Sequence, residues 1–460
     1  MGIFCKIASM LGFGSPNKET TPSPDEQESK EMLQAETVEP AQASFNIKRY
    51  VLIGAGPASV RAAETLRKAD AYCSITMIGQ EKESPYSRMA LPYYLSGMIE
   101  DTGTHLRKTD GHFEGMNINH VFAKVEKVDS ENHQVTIDNG DVYEYDKLMI
   151  ATGSRPANCP FPGSDTAGVV NCWTLEDGRQ ILDSIKPGSK VALLGAGFVA
   201  SIIIEAMLKK GVDLTVMLGR TGFMVSRMMD ETAGKMIQSW CEAKGVDMIL
   251  PSSIKSIEPG PALKRDDDSL TEFDLIIVAT GVYSNIEFLE GSGIETDNGI
   301  LVDAGLHTNV EDIYAAGDVA QGPDFSTGGN SVHAIQPTAV DHGRIAAVNM
   351  MGGNSTYKGS LSMNVLDTSG LVSTSFGSWG GVEGGESAIL LDNENYKYIR
   401  LNFKDDLLVG AITVGRTDFI GVMRGLIQSE VPLGEWKEKL KEDPTLLMNA
   451  YLSRSLDVAR

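Results

Sequence analysis

Apolar residues in this chain fall in short runs broken by polar, glycine-bearing turns. The run Tyr50 to Ile53 enters the turn Gly54-Ala55-Gly56. From Ala58 to Ala69 apolar positions recur at helical spacing, and a second apolar run follows at Ser74 to Ile78. That order predicts strand, turn, helix, strand. It returns later: a strand at Val191 to Leu194, the turn Gly195-Ala196-Gly197, a helix from about Val199 to Lys210, and a buried strand beginning at Val212. Between the copies, alternating segments around Asn139-Gly140 read as a hairpin leading into a buried strand, Lys147 to Ala151. A matching buried run ends at Gly281. From about Gly353 the pattern changes to longer alternating strands and a last helical stretch, an α+β character.

The pattern therefore predicts an α/β protein with two Rossmann-like dinucleotide-binding folds, each a three-layer arrangement about a parallel sheet, and a C-terminal α+β domain. The first fold is discontinuous, residues 47–160 and 283–353; the second spans 161–282 and the last domain 354–460. Residues 1–46 are acidic, polar and Pro-bearing beyond an apolar patch from Ile3 to Phe13, and predict a disordered extension. A net charge of −22 excludes nucleic acid, whose phosphates need clustered Lys and Arg. No run approaches the roughly 20 apolar residues of a spanning helix. The five cysteines, Cys5, Cys73, Cys159, Cys172 and Cys241, form no C-x-x-C, so no zinc site or chain-borne cluster is expected, and a reduced, cytoplasmic setting is. No histidine spacing suggests a metal.

The chemistry sits at the turns. In Gly54-Ala55-Gly56-Pro57-Ala58-Ser59, Gly54 makes the strand-to-helix turn and Gly56 admits a pyrophosphate to the helix N-terminus, where free N–H groups favour negative charge. Glu81, beside Gln80, lies where an acid would meet a ribose hydroxyl. Further on, Ala316-Gly317-Asp318 ends a short strand, and Pro337 suits the first turn of a helix from about Thr338 to Met351.

Five motifs in order, GAGPAS, ATGS (Ala151 to Ser154), GAGFVA, ATG (Ala279 to Gly281) and AGDVA, resemble the two-dinucleotide flavoprotein reductases of the pyridine nucleotide-disulfide oxidoreductase superfamily. The likeness is to the rubredoxin and ferredoxin reductases and the flavin module of nitrite reductases, and it covers about residues 48–353. It implies FAD held by Gly54, Gly56, Pro57, Ala58, Ser59, Gln80, Glu81, Ala151, Thr152, Gly153, Gly317 and Asp318, the last on the ribityl chain. It also implies a helix N-terminus, Gln336, Pro337 and Thr338, aimed at the flavin pyrimidine edge, Arg88 of "SPYSRMALPYY" near the ring, and His333 either close by or structural. A redox-active Cys stands two residues before Leu-Pro-Tyr-Tyr in some relatives; here that residue is Met89, so electrons must leave the flavin directly.

The second turn implies a nicotinamide dinucleotide on Gly195, Gly197, Phe198, Val199 and Gly281. Its strand, however, ends in Leu218, Gly219 and Arg220, without the acid that would hold the adenine ribose. A missing acid followed by Arg220 suits a 2′-phosphate. NADPH, NADH held by other contacts, and a site that binds neither all stay open here, with NADPH favoured. The sequence thus predicts an FAD-dependent NAD(P)H oxidoreductase delivering electrons to an iron–sulfur protein or partner redox subunit. The alternative is an electron-relay subunit with a vestigial nicotinamide site. A homodimer is compatible with either.

Overall fold

A computed structural model describes residues 47–458; the expectations for residues 1–46 lie outside the described residues. Both glycine turns sit in sheets of the same design. The first sheet runs Ile313–Ala315, Lys147–Ile150, Arg49–Ile53, Ser74–Gly79, Ile118–Phe122, all parallel. The second runs Asp247–Ile249, Asp213–Met217, Lys190–Leu194, Leu275–Val278, Val169–Asn171, also all parallel. Their central strands are apolar beyond a charged first residue because both faces are covered. In the second fold Leu193 packs on helix residues Ala200 and Ile203, and Leu194 on the three-stranded antiparallel sheet of Ile254, Ile257 and Leu263, while Val125, Val128, Val135 and Ile137 of a like sheet join the core of the first. Leu52 pairs with Met77 and Leu193 with Val216, all four fully buried.

Glycine explains why the turns pack as they do. Gly54 has φ +112°, and a Cβ there would lie 2.1 Å from the Ala151 carbonyl oxygen. Gly195 repeats this at φ +124°, 2.2 Å from the Ala279 oxygen. Each turn thus rests on the end of the neighbouring strand, which is why each GAG is matched by an ATG later in the chain. At Gly343 a Cβ would sit 2.1 Å from the Ala58 oxygen. Helices Pro57–Ala69 and Gln336–Met350 therefore pack in contact, their N-termini side by side.

The C-terminal sheet is antiparallel, in the order Met363–Thr368, Leu371–Gly377, Leu407–Val414, Lys397–Lys404, Glu386–Asp392. Helices Ile420–Gln428 and Trp436–Glu442 cover one face. Tyr398, Ile412 and Val414 share a core with the second fold's Met224, Val225 and Met236. Asp230 joins the two. It caps helix Glu231–Glu242 through the Ala233 N–H (3.0 Å) and accepts bonds from Tyr398 Oη (2.7 Å) and Arg400 (3.0 Å). No described helix is long and apolar enough to cross a membrane.

Candidate functional site

One cavity of about 2580 Å³ joins the carboxyl ends of both parallel sheets, where open α/β sheets bind their ligands. Helices Pro57–Ala69, Phe198–Lys210 and Gln336–Met350 start at its wall. None has a side-chain cap; their N-caps are Gly56, Gly197 and Ile335. By contrast helix Leu175–Ser184 is closed by a Thr174/Asp177 capping box and Glu231–Glu242 by Asp230. Uncapped N–H groups at a cavity form anion sites. A Cβ at Gly56, Gly153 or Gly197 would meet nothing within 4 Å, so a ligand can approach the backbone there.

Most residues expected from the sequence come together here. Gly54, Gly56, Pro57, Ala58, Gln80, Glu81, Arg88, Ala151, Thr152, Gly153, Gly317, Asp318 and Gln336 line the first half, and Gly195, Gly197, Phe198, Val199, Arg220 and Gly281 the second. Three fall elsewhere. Ser59 is fully buried inside its helix, facing packing rather than cavity, and its Oγ has no partner. Pro337 and Thr338 line a separate pocket of about 320 Å³ behind the wall, because the helix turns them away from Gln336. The helix itself starts two residues earlier than expected, at Gln336.

Asp318 is a half-buried carboxylate on the cavity wall. Burial pushes its carboxyl up from 3.8 to about 6, and Arg88 only partly offsets this. A half-buried carboxylate without a full set of donors wants hydroxyls, which a polyol chain offers. Arg88 lies between the rings of Tyr86 and Trp173, with centroids at 5.5 and 5.4 Å. It bonds Glu81 (2.6 Å) and the Trp173 carbonyl (2.9 Å). Glu81 also accepts from Tyr86 Oη (2.6 Å), so the acid expected at a ribose is already doubly engaged. It keeps acceptor sites on both oxygens. Ser87 Oγ bonds the Gln336 side chain, tying this loop to the helix start.

In the second half the strand end is as the sequence implied. Leu218 is buried and Arg220 exposed. Sequence reasoning missed Arg227, exposed on the same cavity wall with Thr221 and Ser226; its only signal was recurrence of Arg in the loop "GRTGFMVSR". Neither arginine has a partner among the described residues. Every carboxylate lining the cavity, Glu81, Glu83, Glu126, Glu287 and Asp318, lies outside residues 195–228. Val225 holds this loop to the glycine turn through its N–H and the Ala196 oxygen (2.8 Å). It does so at φ +50°, a costly conformation for a β-branched residue and one usually kept for function.

Residues 48–343 match the family model described as pyridine nucleotide-disulphide oxidoreductase. The chain belongs to this family. The epsilon subunit of the NADH-dependent phenylglyoxylate dehydrogenase of Aromatoleum evansii is 30% identical over 413 residues, 88% of this chain and 98% of that one. The ferredoxin–NAD(+) reductase component of the anthranilate 1,2-dioxygenase system of Burkholderia cepacia is 31% identical over 316 residues, 67% of this chain and 77% of the relative. Among solved structures, the covalent putidaredoxin reductase–putidaredoxin complex superposes with a TM-score of 0.81 at 20% identity, covering 89% and 99%, a likeness of fold.

This oxidoreductase is FAD-dependent and uses NAD(P)H. The open glycine cradles, the uncapped helices and Asp318 fit a dinucleotide carrying a polyol. Cys73, Cys159, Cys172 and Cys241 are free thiols. Cys172 lines the cavity, but burial drives its thiol far up and keeps it protonated. Met89 stands at the wall in place of a redox thiol.

Proposed function

We infer that this chain oxidises NADPH in preference to NADH at residues 161–282. Residues 47–160 and 283–353 hold FAD, and electrons pass to an iron–sulfur protein or a partner redox subunit docked beside residues 354–460. The observation that carries this reading is the single cavity shared by two glycine cradles, with no reactive thiol in its wall. Flavin bound there supplies the conversion of a two-electron hydride donor into a source of single electrons. The chain's part is to position and to exclude: Gly54 and Gly195 set the turns, Asp318 anchors the polyol, and Gln336 offers a helix N-terminus to developing negative charge. Two names among the relatives support the acceptor class, a ferredoxin reductase and a subunit of a larger dehydrogenase. The latter is NADH-dependent; the preference proposed for this chain rests on its own Arg220 and Arg227 and on the absence of a strand-end acid. A cytoplasmic setting fits an acceptor of this kind.

The test is anaerobic. The flavin-loaded protein is mixed with NADPH, then NADH, and bleaching of the flavin band is followed; a reduced iron–sulfur acceptor is then looked for. Faster bleaching by NADPH supports the reading, and faster bleaching by NADH removes the preference. Bleaching by dithionite but by neither nucleotide makes the chain an electron relay with a silent second site.

A further inference from the structure

A buried ion pair stands behind the flavin half of the cavity and none of the roles above uses it. Strand Ala320–Pro323 turns through residues 324–329 into strand Asn330–Val332, and the chain passes through His333 to the helix start at Gln336. Asp324 opens that turn and is 7% exposed. One carboxylate oxygen accepts from the Ser326 and Thr327 N–H groups at 2.8 and 3.2 Å, which fixes its direction. The other lies 3.3 Å from His333 Nε2, at ion-pair distance though not aligned as a hydrogen bond. The His333 ring is 10% exposed, lines the cavity, and is held by a tight turn from the Ile335 N–H to its own carbonyl (2.9 Å).

Burial alone would raise Asp324, but His333 and the turn's N–H groups outweigh it and hold the carboxyl at about 2. Asp324 is therefore anionic at any working pH, a fixed negative charge 3.3 Å from the His333 ring. The titratable group that interacts with His333 besides Asp324 is His342 on the helix; Asp318 and Arg88 line the same cavity. Burial and the charge of His333 push His342 down to about 4, so it stays neutral. Its Nδ1 accepts from the Gly317 N–H (3.4 Å) and its Nε2 faces Ser360 Oγ (3.3 Å). Of the two histidines, only His333 lines the large cavity.

We propose that His333, backed by Asp324, is the proton-holding residue of the flavin site: it binds a proton more tightly when the flavin is reduced and releases it as electrons leave. The balance is simple. A hydride brings two electrons and one proton to the ring and leaves a negative charge, which a second proton, taken from solvent onto His333, offsets. Departure of the electrons to one-electron carriers returns both protons. The inference rests on the flavin reading of the cavity.

Long-range 1H–15N spectra of histidine-labelled, FAD-loaded protein, recorded against pH in the oxidised and reduced states, test it. The His333 signal is the one lost in His333→Gln and displaced in Asp324→Asn, so either variant identifies it. Its titration midpoint should be about one pH unit higher in the reduced protein, a tenfold gain in proton affinity that by linkage lowers the two-electron potential of His333→Gln by about 30 mV when measured below both midpoints. The same midpoint in both states, or an unshifted potential in the variant, overturns the proposal. Failure to take up FAD at all, read beforehand from the flavin-to-protein ratio, overturns the reading of the cavity instead.

Discussion

Gly219 is the position at which nucleotide choice can be reversed. Its φ is not in the left-handed region, and an added Cβ would meet only Thr221 Oγ1 at 3.9 Å, so Gly219→Asp introduces the missing carboxylate without strain. Leu218 is unsuitable, being 3% exposed and part of the core. A carboxylate about 5 Å from a 2′-phosphate, at an effective dielectric of roughly 40, repels it by about 2 kcal/mol per unit charge. Hydrogen bonds from two ribose hydroxyls would add about 1 kcal/mol for NADH after allowance for solvent exposure. The swing is about 3 kcal/mol, or roughly 100-fold in the ratio of kcat/KM for NADPH over NADH. Stopped-flow flavin reduction with each nucleotide reads it directly. A ratio that moves less than about threefold, a difference under 1 kcal/mol, refutes the placement of the adenine ribose at this strand end.

Gly54→Ala and Gly195→Ala each drive a Cβ into a strand carbonyl from a positive φ, so both should lower Tm sharply, the first yielding protein without flavin and the second protein whose flavin is no longer reduced by NAD(P)H; Gly197→Ala, with open space around it, should fold and lose nucleotide affinity alone. Asp318→Asn should make the flavin-free protein more stable at pH 8. The native carboxyl is raised to about 6 from 3.8, so its penalty is full above 6 and vanishes below about 4; the gain, up to about 3 kcal/mol, should disappear in melts at low pH, while flavin affinity falls at both. Asp230→Ala removes a helix cap and leaves Tyr398 Oη and Arg400 without their shared acceptor, for about 2–4 kcal/mol lost in denaturant melts.

What was legible in the sequence is what local rules dictate. Strand, glycine turn and helix are fixed within about 20 residues, so both parallel folds and the order of their motifs could be read from spacing. The ATG segments could be matched to the glycine turns only by resemblance; the reason, a carbonyl 2.1 or 2.2 Å from the missing Cβ, is a contact between residues about 85 to 97 positions apart. Helical direction decided the misplacements. Pro337 and Thr338 follow Gln336 directly, yet one helical step turns them to the other face. Ser59, last in a motif whose other members touch the cavity, packs inward for the same reason. The Glu81–Arg88–Tyr86 cluster is short-range in sequence, but no pattern announces that an acid placed for a ribose will also pair with the arginine placed for the ring.

The carboxylates of the cavity all lie outside residues 195–228, where Arg220 and Arg227 stand, although Glu81, Glu83 and Glu287 are paired with Arg88, Arg179 and Arg155. A chain of net charge −22 must repel a polyanionic nucleotide at long range, and at 0.1 M salt that repulsion is screened beyond about 10 Å. Within that distance the arriving adenine end meets Arg220 and Arg227 and no carboxylate from residues 195–228. The flavin half carries all five acids. An anionic nucleotide entering the wrong way round would set its phosphate near Glu126 and Asp318, the cavity acids with no ion pair among the described residues. On the reading proposed above, Arg220 and Arg227 would draw the adenine end of the reductant to the second cradle before any contact with the ring is made. Replacing both arginines by Ala should slow NADPH capture most at low ionic strength, where the remaining repulsion is unscreened, and added salt should then speed capture. If salt slows it instead, attraction from elsewhere on the surface guides the nucleotide, and the division of charge within the cavity has no part in its orientation.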